Sequence, residues 1–197
     1  MSGREGGRSA GKGACSPAEL PALDPASGHL NVVIDTPKGS RNKFKFDPEW
    51  RLFKLSGVLP AGAIFPYDFG FVPSTRGGDG DPLDVLVLMD EPAFVGCLVP
   101  ARLLGVIEAE QTEKGETRRN DRLIAVTTES RNHAEVESLD DLSSNLLHEI
   151  EHFFVSYNAA KEKTFEVVRR NGPRRARAIL AAGCRLQEGR TRSRGRR

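Results

Sequence analysis

The sequence predicts a mainly β chain with flanking helices, an α+β fold built on a small β-barrel. Two observations carry this. Five or more short strand-like segments precede any helical pattern, and the first helical pattern is one amphipathic stripe late in the chain.

The strands are read in order. Residues 30–36 form an apolar run; in 42–47, Phe44 and Phe46 alternate with Lys43 and Lys45, which sets the lysines on the face opposite the phenylalanines. Residues 51–55 make a third strand. A Gly- and Pro-punctuated stretch, 59–75, carries Phe65, Tyr67, Phe69 and Phe71. The apolar runs 85–89, 97–107 and 122–126 follow, and the polar segment 108–120 with Gly115 reads as a long hairpin between the last two.

Ser138, with Asp141 as its capping-box partner, is expected to open a long helix. Its apolar stripe is Leu139, Leu142, Leu146, Ile150, Phe153 and Tyr157, stepping by three or four, and it packs on the barrel. A shorter helix is expected from Pro173 to about Gly183, with proline at its start and glycine just past its end.

The 197 residues suit one domain with tails: a flexible Gly/Ser/Ala/Pro-rich leader over 1–29, a folded body over 30–183 and a disordered basic tail over 184–197. The net charge of +2 is unevenly spread. Residues 1–29 hold three basic and three acidic side chains and residues 166–197 hold eleven and two, which leaves 15 basic against 22 acidic in between. An acidic body suits metal binding and disfavours a nucleic-acid partner, which only the basic tail would attract, and weakly. No stretch reaches the roughly 20 apolar residues of a bilayer span, and no apolar secretory segment opens the chain, so the expectation is a cytoplasmic protein without membrane contact. Cys15, Cys97 and Cys184 are widely spaced and read as reduced thiols.

The sharpest chemical signal is Asp79-Gly80-Asp81-Pro82-Leu83-Asp84. Three carboxylates within six residues repel one another unless a cation neutralises them, and oxygen-only ligands favour magnesium, manganese or calcium. A solvated acidic turn is the plainer reading. An EF-hand calcium loop does not fit, because position twelve from Asp79 is Asp90 rather than a glutamate and a strand follows.

DGDPLDVLVL resembles the signature of the soluble, barrel-type inorganic pyrophosphatases. The likeness extends over roughly 30–165, through VVIDTP, FPYDFGFVPST, GVIEAE, RLIAV and HFFVSYN. It implies a five-stranded OB-type barrel that hydrolyses pyrophosphate to two phosphates with Mg2+, or Mn2+ in its place. It also implies a symmetric assembly of copies of the chain. On the same resemblance Asp79 and Asp84 hold metal, Asp81 positions or deprotonates the attacking water, and Lys43, Arg122 and Tyr157 hold phosphate.

The chain departs from that pattern in several places. Lys45 stands where the family has a metal-contacting glutamate, Gly57 where it has an arginine and Asn158 where it has a lysine. Phe65 and Phe69 replace tyrosines, and Gln111 and Asn120 take the places of metal-binding aspartates. Glu110, Glu113 or Asp121 can supply a missing carboxylate, and Asp121 is preferred. These departures leave open a retuned relative that acts on another phosphoanhydride or only binds phosphate ligands.

Two other functional classes fit the sequence less well. His148-Glu149-Ile150-Glu151-His152 matches the HExxH zinc-peptidase pattern, but at 100° per residue both histidines lie within about 20° of the direction opposite Ile150, away from the core. A non-catalytic OB module binding single-stranded nucleic acid would suit the basic tail but not the acidic body.

Overall fold

The structure is a computed structural model, and it describes residues 16–194, with side chains as far as residue 189. Nine strands and two α-helices form it: β1 Leu30–Thr36, β2 Asn42–Asp47, β3 Leu52–Val58, β4 Asp68–Phe71, β5 Asp84–Leu88, β6 Leu98–Glu113, β7 Glu116–Arg119, β8 Arg122–Thr127, α1 Ser144–Ala159, β9 Thr164–Asn171 and α2 Pro173–Arg194.

Five strands close on themselves. β1 pairs β4, β4 pairs β5, β5 runs parallel to β8, β8 pairs β6, and the first half of β6 returns to β1, Leu30 opposite Ala101. This is the expected five-stranded barrel, and closure leaves these strands no free edge. Because side chains alternate across a strand, two apolar sets result. One, with Val32, Ile34, Val85, Val87, Ala101, Leu123 and Ala125, draws on β1, β5, β6 and β8, takes in Val72 just past β4, and is completed by Ala176 and Leu180 of α2. The other, with Leu86, Leu88, Leu104, Ile124 and Val126, lies under Leu147, Ile150 and Phe154 of α1. The β2–β3 hairpin covers Val33 and Phe71 through Phe46.

Close approach of two backbones fixes one position. A Cβ on Gly70 in β4 would stand 2.1 Å from the Val33 carbonyl oxygen, so β1 and β4 meet in this register only with glycine there.

Several expectations are corrected. The Ser138–Asp141 capping box exists, but it closes a 3-10 turn, Leu139–Asp141, and Leu142 then turns extended. The long helix starts afresh at Ser144, capped by Ser143, whose hydroxyl accepts the Leu146 N–H at 3.2 Å. Its buried face is Leu147, Ile150, Phe154 and Asn158, with Leu146, Phe153 and Tyr157 flanking. β9 was not foreseen. It pairs with the far half of β6, and Phe165 is its one buried side chain.

α2 does not stop at Gly183. That residue is a packing glycine inside the helix, where a Cβ would lie 2.8 Å from Leu83, and the helix continues to Arg194 through most of the expected disordered tail. The fold also begins before Leu30. Ala22 is buried, Leu23 bridges to Leu30, and the Ala18 carbonyl accepts the Ser74 N–H at 3.0 Å. The earlier part of the leader, 1–15, with Cys15, lies outside the described residues. Cys97 and Cys184 are free thiols, both packed against the barrel core. No helix among the described residues is long and apolar enough to cross a membrane.

Candidate active site

The connection from β4 to β5 carries the acidic loop to the mouth of the barrel. Gly80 has φ +92°, a conformation that glycine adopts freely, and it lets the chain turn back so that the Gly77 N–H donates to the Asp81 carbonyl at 2.7 Å. The Asp81 N–H in turn donates to Asp79 Oδ1 at 3.1 Å. From the other side α2 supports the loop, its Gly183 carbonyl accepting the Arg76 N–H at 3.1 Å.

A cavity of about 430 Å³ opens in front of this loop. It gathers Asp79, Asp81, Asp84, Lys43, Arg122 and Tyr157, six of the seven site residues expected from sequence. Asp121 lies outside it. It shares a neighbouring cleft of about 240 Å³ with Asp79 and Asp84, and its Oδ1 accepts from Arg119 Nε at 2.7 Å and from the Ala109 N–H at 3.0 Å.

Each charge in the cavity has a specific setting. Lys43 Nζ lies 2.7 Å from Asp35 Oδ1, both side chains nearly buried, and stands over the Phe69 ring at 4.2 Å. Burial pushes the Asp35 carboxyl up to about 6 against the lowering effect of Lys43. Arg122 is 4% exposed, pairs with Asp84 Oδ2 at 2.6 Å, and is ringed by Phe69, Phe154 and Phe165. Burial, and then the charge of Asp84, push the Tyr157 phenol up to about 12, so it stays a hydrogen-bond donor at neutral pH. Burial and the neighbouring Asp84 also raise Asp79 above the ordinary carboxylate range.

Asp35, Lys161 and Lys163 were missed by sequence reasoning. Asp35 had a legible signal, a lone carboxylate within the apolar run LNVVIDT. The two lysines follow α1 and reach the cavity only through the turn into β9; Lys161 Nζ contacts the Tyr157 hydroxyl. Gln111 and Asn120 hydrogen-bond each other at 3.0 Å on the cavity wall. Asn158 is buried and spends its amide on the Phe154 carbonyl at 2.8 Å. His148 and His152 are exposed on α1 and do not line this cavity.

The donor set suits a hard cation by chemistry. Asp79, Asp81, Asp84 and Asp121 each use one carboxylate oxygen, while the other accepts no hydrogen bond among the described residues. The expected convergence is looser than the sequence suggests: among the described residues no three acidic, histidine or cysteine side chains come together as a metal cage. Magnesium fits such a site, because it is bound through one or two carboxylates, with water and phosphate oxygens completing the shell. In the same cavity, Lys43, Lys45, Arg122, Lys161 and Lys163 supply the charge that phosphate oxygens require.

Comparison with known proteins agrees with this geometry. Residues 32–187 match the family model for inorganic pyrophosphatase. The inorganic pyrophosphatase of Synechocystis sp. is 38% identical over 151 residues, 77% of this chain and 86% of that protein. The crystal structure of inorganic pyrophosphatase from Thermus thermophilus superimposes with a TM-score of 0.80 at 33% identity, covering 88% of this chain and 99% of that one. The Helicobacter pylori enzyme gives 0.75 at 34% identity, covering 81% and 94%. With the barrel, the acidic loop and the cationic wall in agreement, the chain belongs to the inorganic pyrophosphatase family.

Proposed function

We propose that this protein hydrolyses inorganic pyrophosphate to two phosphates and depends on Mg2+, with Mn2+ as a substitute. The observation that carries the reading is the cavity itself, which three loop carboxylates, five basic side chains and several aromatic rings line together. When bound, the metal supplies charge neutralisation for the phosphate oxygens and makes water more acidic. Asp79 and Asp84 would hold it, with Asp121 as a further ligand from the adjoining cleft.

Asp81 is the residue assigned to the water. It is the most exposed of the loop aspartates and sits at the cavity mouth, where its carboxylate can orient a water and take its proton. Lys43 and Arg122, held by Asp35 and Asp84, are preorganised to bind one phosphate through charge-assisted hydrogen bonds. Tyr157 donates from the α1 side. Phe65, Phe69 and Phe154 line the same cavity and exclude bulk water, which strengthens these contacts.

Copies of the chain assemble symmetrically, a reading supported by Trp50, Leu52 and Phe94, large apolar side chains left 65–72% exposed. The protein works in the cytoplasm. The test is phosphate release from pyrophosphate under saturating Mg2+, for the parent chain and for Asp81→Asn. The parent should turn over and the variant should fall by about 10²–10⁴-fold, the usual contribution of a positioned base. No release by the parent sinks the reading.

A further inference from the structure

Besides Asp35 with Lys43, three carboxylates around the site carry a basic partner from the chain itself: Asp84 pairs with Arg122 at 2.6 Å, Asp121 with Arg119 at 2.7 Å and Asp81 with Lys45 at 2.7 Å. The pairs differ in permanence. The Arg122 side chain is 5% exposed and that of Arg119 is 34% exposed, and Arg119 is also tied to the buried Glu108. The side chains of Lys45 and Asp81 are 51% and 57% exposed, and among the described residues the Lys45 ammonium has only this one hydrogen bond.

We propose that Lys45 is a built-in counter-ion that competes with divalent cations for Asp81, so that a cation engages this carboxylate only as the ammonium leaves it. Lys45 reaches the loop from β2, on the far wall of the cavity, 36 residues away in sequence. It occupies the place where a bound cation would feel all three loop carboxylates, since Asp81, Asp84 and Asp79 each act electrostatically on its ammonium. The loop does not need it for shape. The Gly77–Asp81 and Asp81–Asp79 hydrogen bonds hold the turn, and the hairpin has its own Lys54–Asp47 pair at 2.6 Å.

Once displaced, Lys45 remains in the same cavity as Lys43 and Lys161, so one event trades an internal ion pair for a bound cation and a free phosphate-binding ammonium. This inference rests on the hydrolase reading for the identity of its ligands, but its test does not depend on turnover.

Mn2+ binding to the full chain without substrate is measured by electron paramagnetic resonance of free Mn2+, for the parent, Lys45→Met, Asp81→Asn and the double variant, with Lys45→Gln as a second neutral replacement. Lys45→Met and Lys45→Gln should tighten the Mn2+ Kd on the order of fivefold, the scale of a partly exposed ion pair. The gain should vanish in the Asp81→Asn background. An unchanged or weakened Kd in both neutral variants, or a gain that persists without Asp81, overturns the proposal. Phosphate release is scored separately. Tightening without release upholds the counter-ion and sinks the hydrolase, whereas release without tightening sinks the counter-ion alone. Absence of Mn2+ binding in every variant overturns the counter-ion, and the hydrolase is then judged by phosphate release alone.

Discussion

Replacing Glu108 by glutamine removes one charge from a side chain that solvent does not reach. Its carboxylate accepts from Arg119, Arg169, Arg175 and Asn171, so groups from β7, β9 and α2 meet on one residue of β6. The hydrogen bond from Arg175 is the main influence, and the charges of Arg175, Arg119 and Arg169 add to it. Against the opposing effect of burial they hold the carboxyl at about 2, down from 4.5. That difference corresponds to roughly 3 kcal/mol. The arginines are a third to more than half exposed, so solvent screens the pairs and a cost of about 2 kcal/mol is expected. For a chain of this size this lowers Tm by about 4–8 °C. The folded-state value lies below the unfolded one, so the contribution is complete above about pH 4.5 and is lost as the pH falls towards 2. Scanning calorimetry of parent and Glu108→Gln at equal concentration should therefore show a constant gap from pH 7 to about 5 that closes in acid. A Tm difference within about 1 °C at pH 7, or a gap indifferent to acid, would refute the reasoning.

Phe154→Ala removes a ring that is 1% exposed from beneath Arg122; urea unfolding should show a loss of about 3–5 kcal/mol, and the KM for pyrophosphate should rise as the guanidinium loses its seat. Gly70→Ala drives a methyl group into the Val33 carbonyl, and the same measurement should give a cost of about 3 kcal/mol or more. Asp35 titrates in the folded chain near 6 rather than 3.8, so the native state binds the extra proton and stability falls as pH rises through that window. Lys43→Met should extend this fall above pH 6 and Asp35→Asn should abolish it, both read from Tm against pH between about 4 and 8.

Four of the five barrel strands were legible as apolar runs bounded by turn residues, whereas β4 lay in the stretch read only as punctuated by glycine and proline; the acidic loop was legible because three aspartates crowd six positions. What escaped shares a physical cause. β9 pairs with the far half of β6 but buries only Phe165 and carries Arg169 and Arg170, so it lacks the alternation that announces a strand. Gly183 has the same letter whether it caps a helix or makes room for Leu83, and only the contact distinguishes the two. At the site, the loop and Lys43, Arg122 and Tyr157 were recognised through family likeness. Which cation neutralises which carboxylate was not, because such pairs join residues as distant as Lys45 and Asp81.

The Glu108 hub also sets an order of assembly during synthesis. β6 can begin pairing with β1 once residues near Ala101 are made, but Arg169 and Arg175 lie 61 and 67 residues beyond Glu108. Until they leave the ribosome, a carboxylate destined for full burial lacks two of its three arginines, and contacts of such long range close slowly. The C-terminal strand and helix thus act as the last fastener of a barrel begun much earlier, and a chain released short of residue 175 would hold the acidic loop without the support behind it.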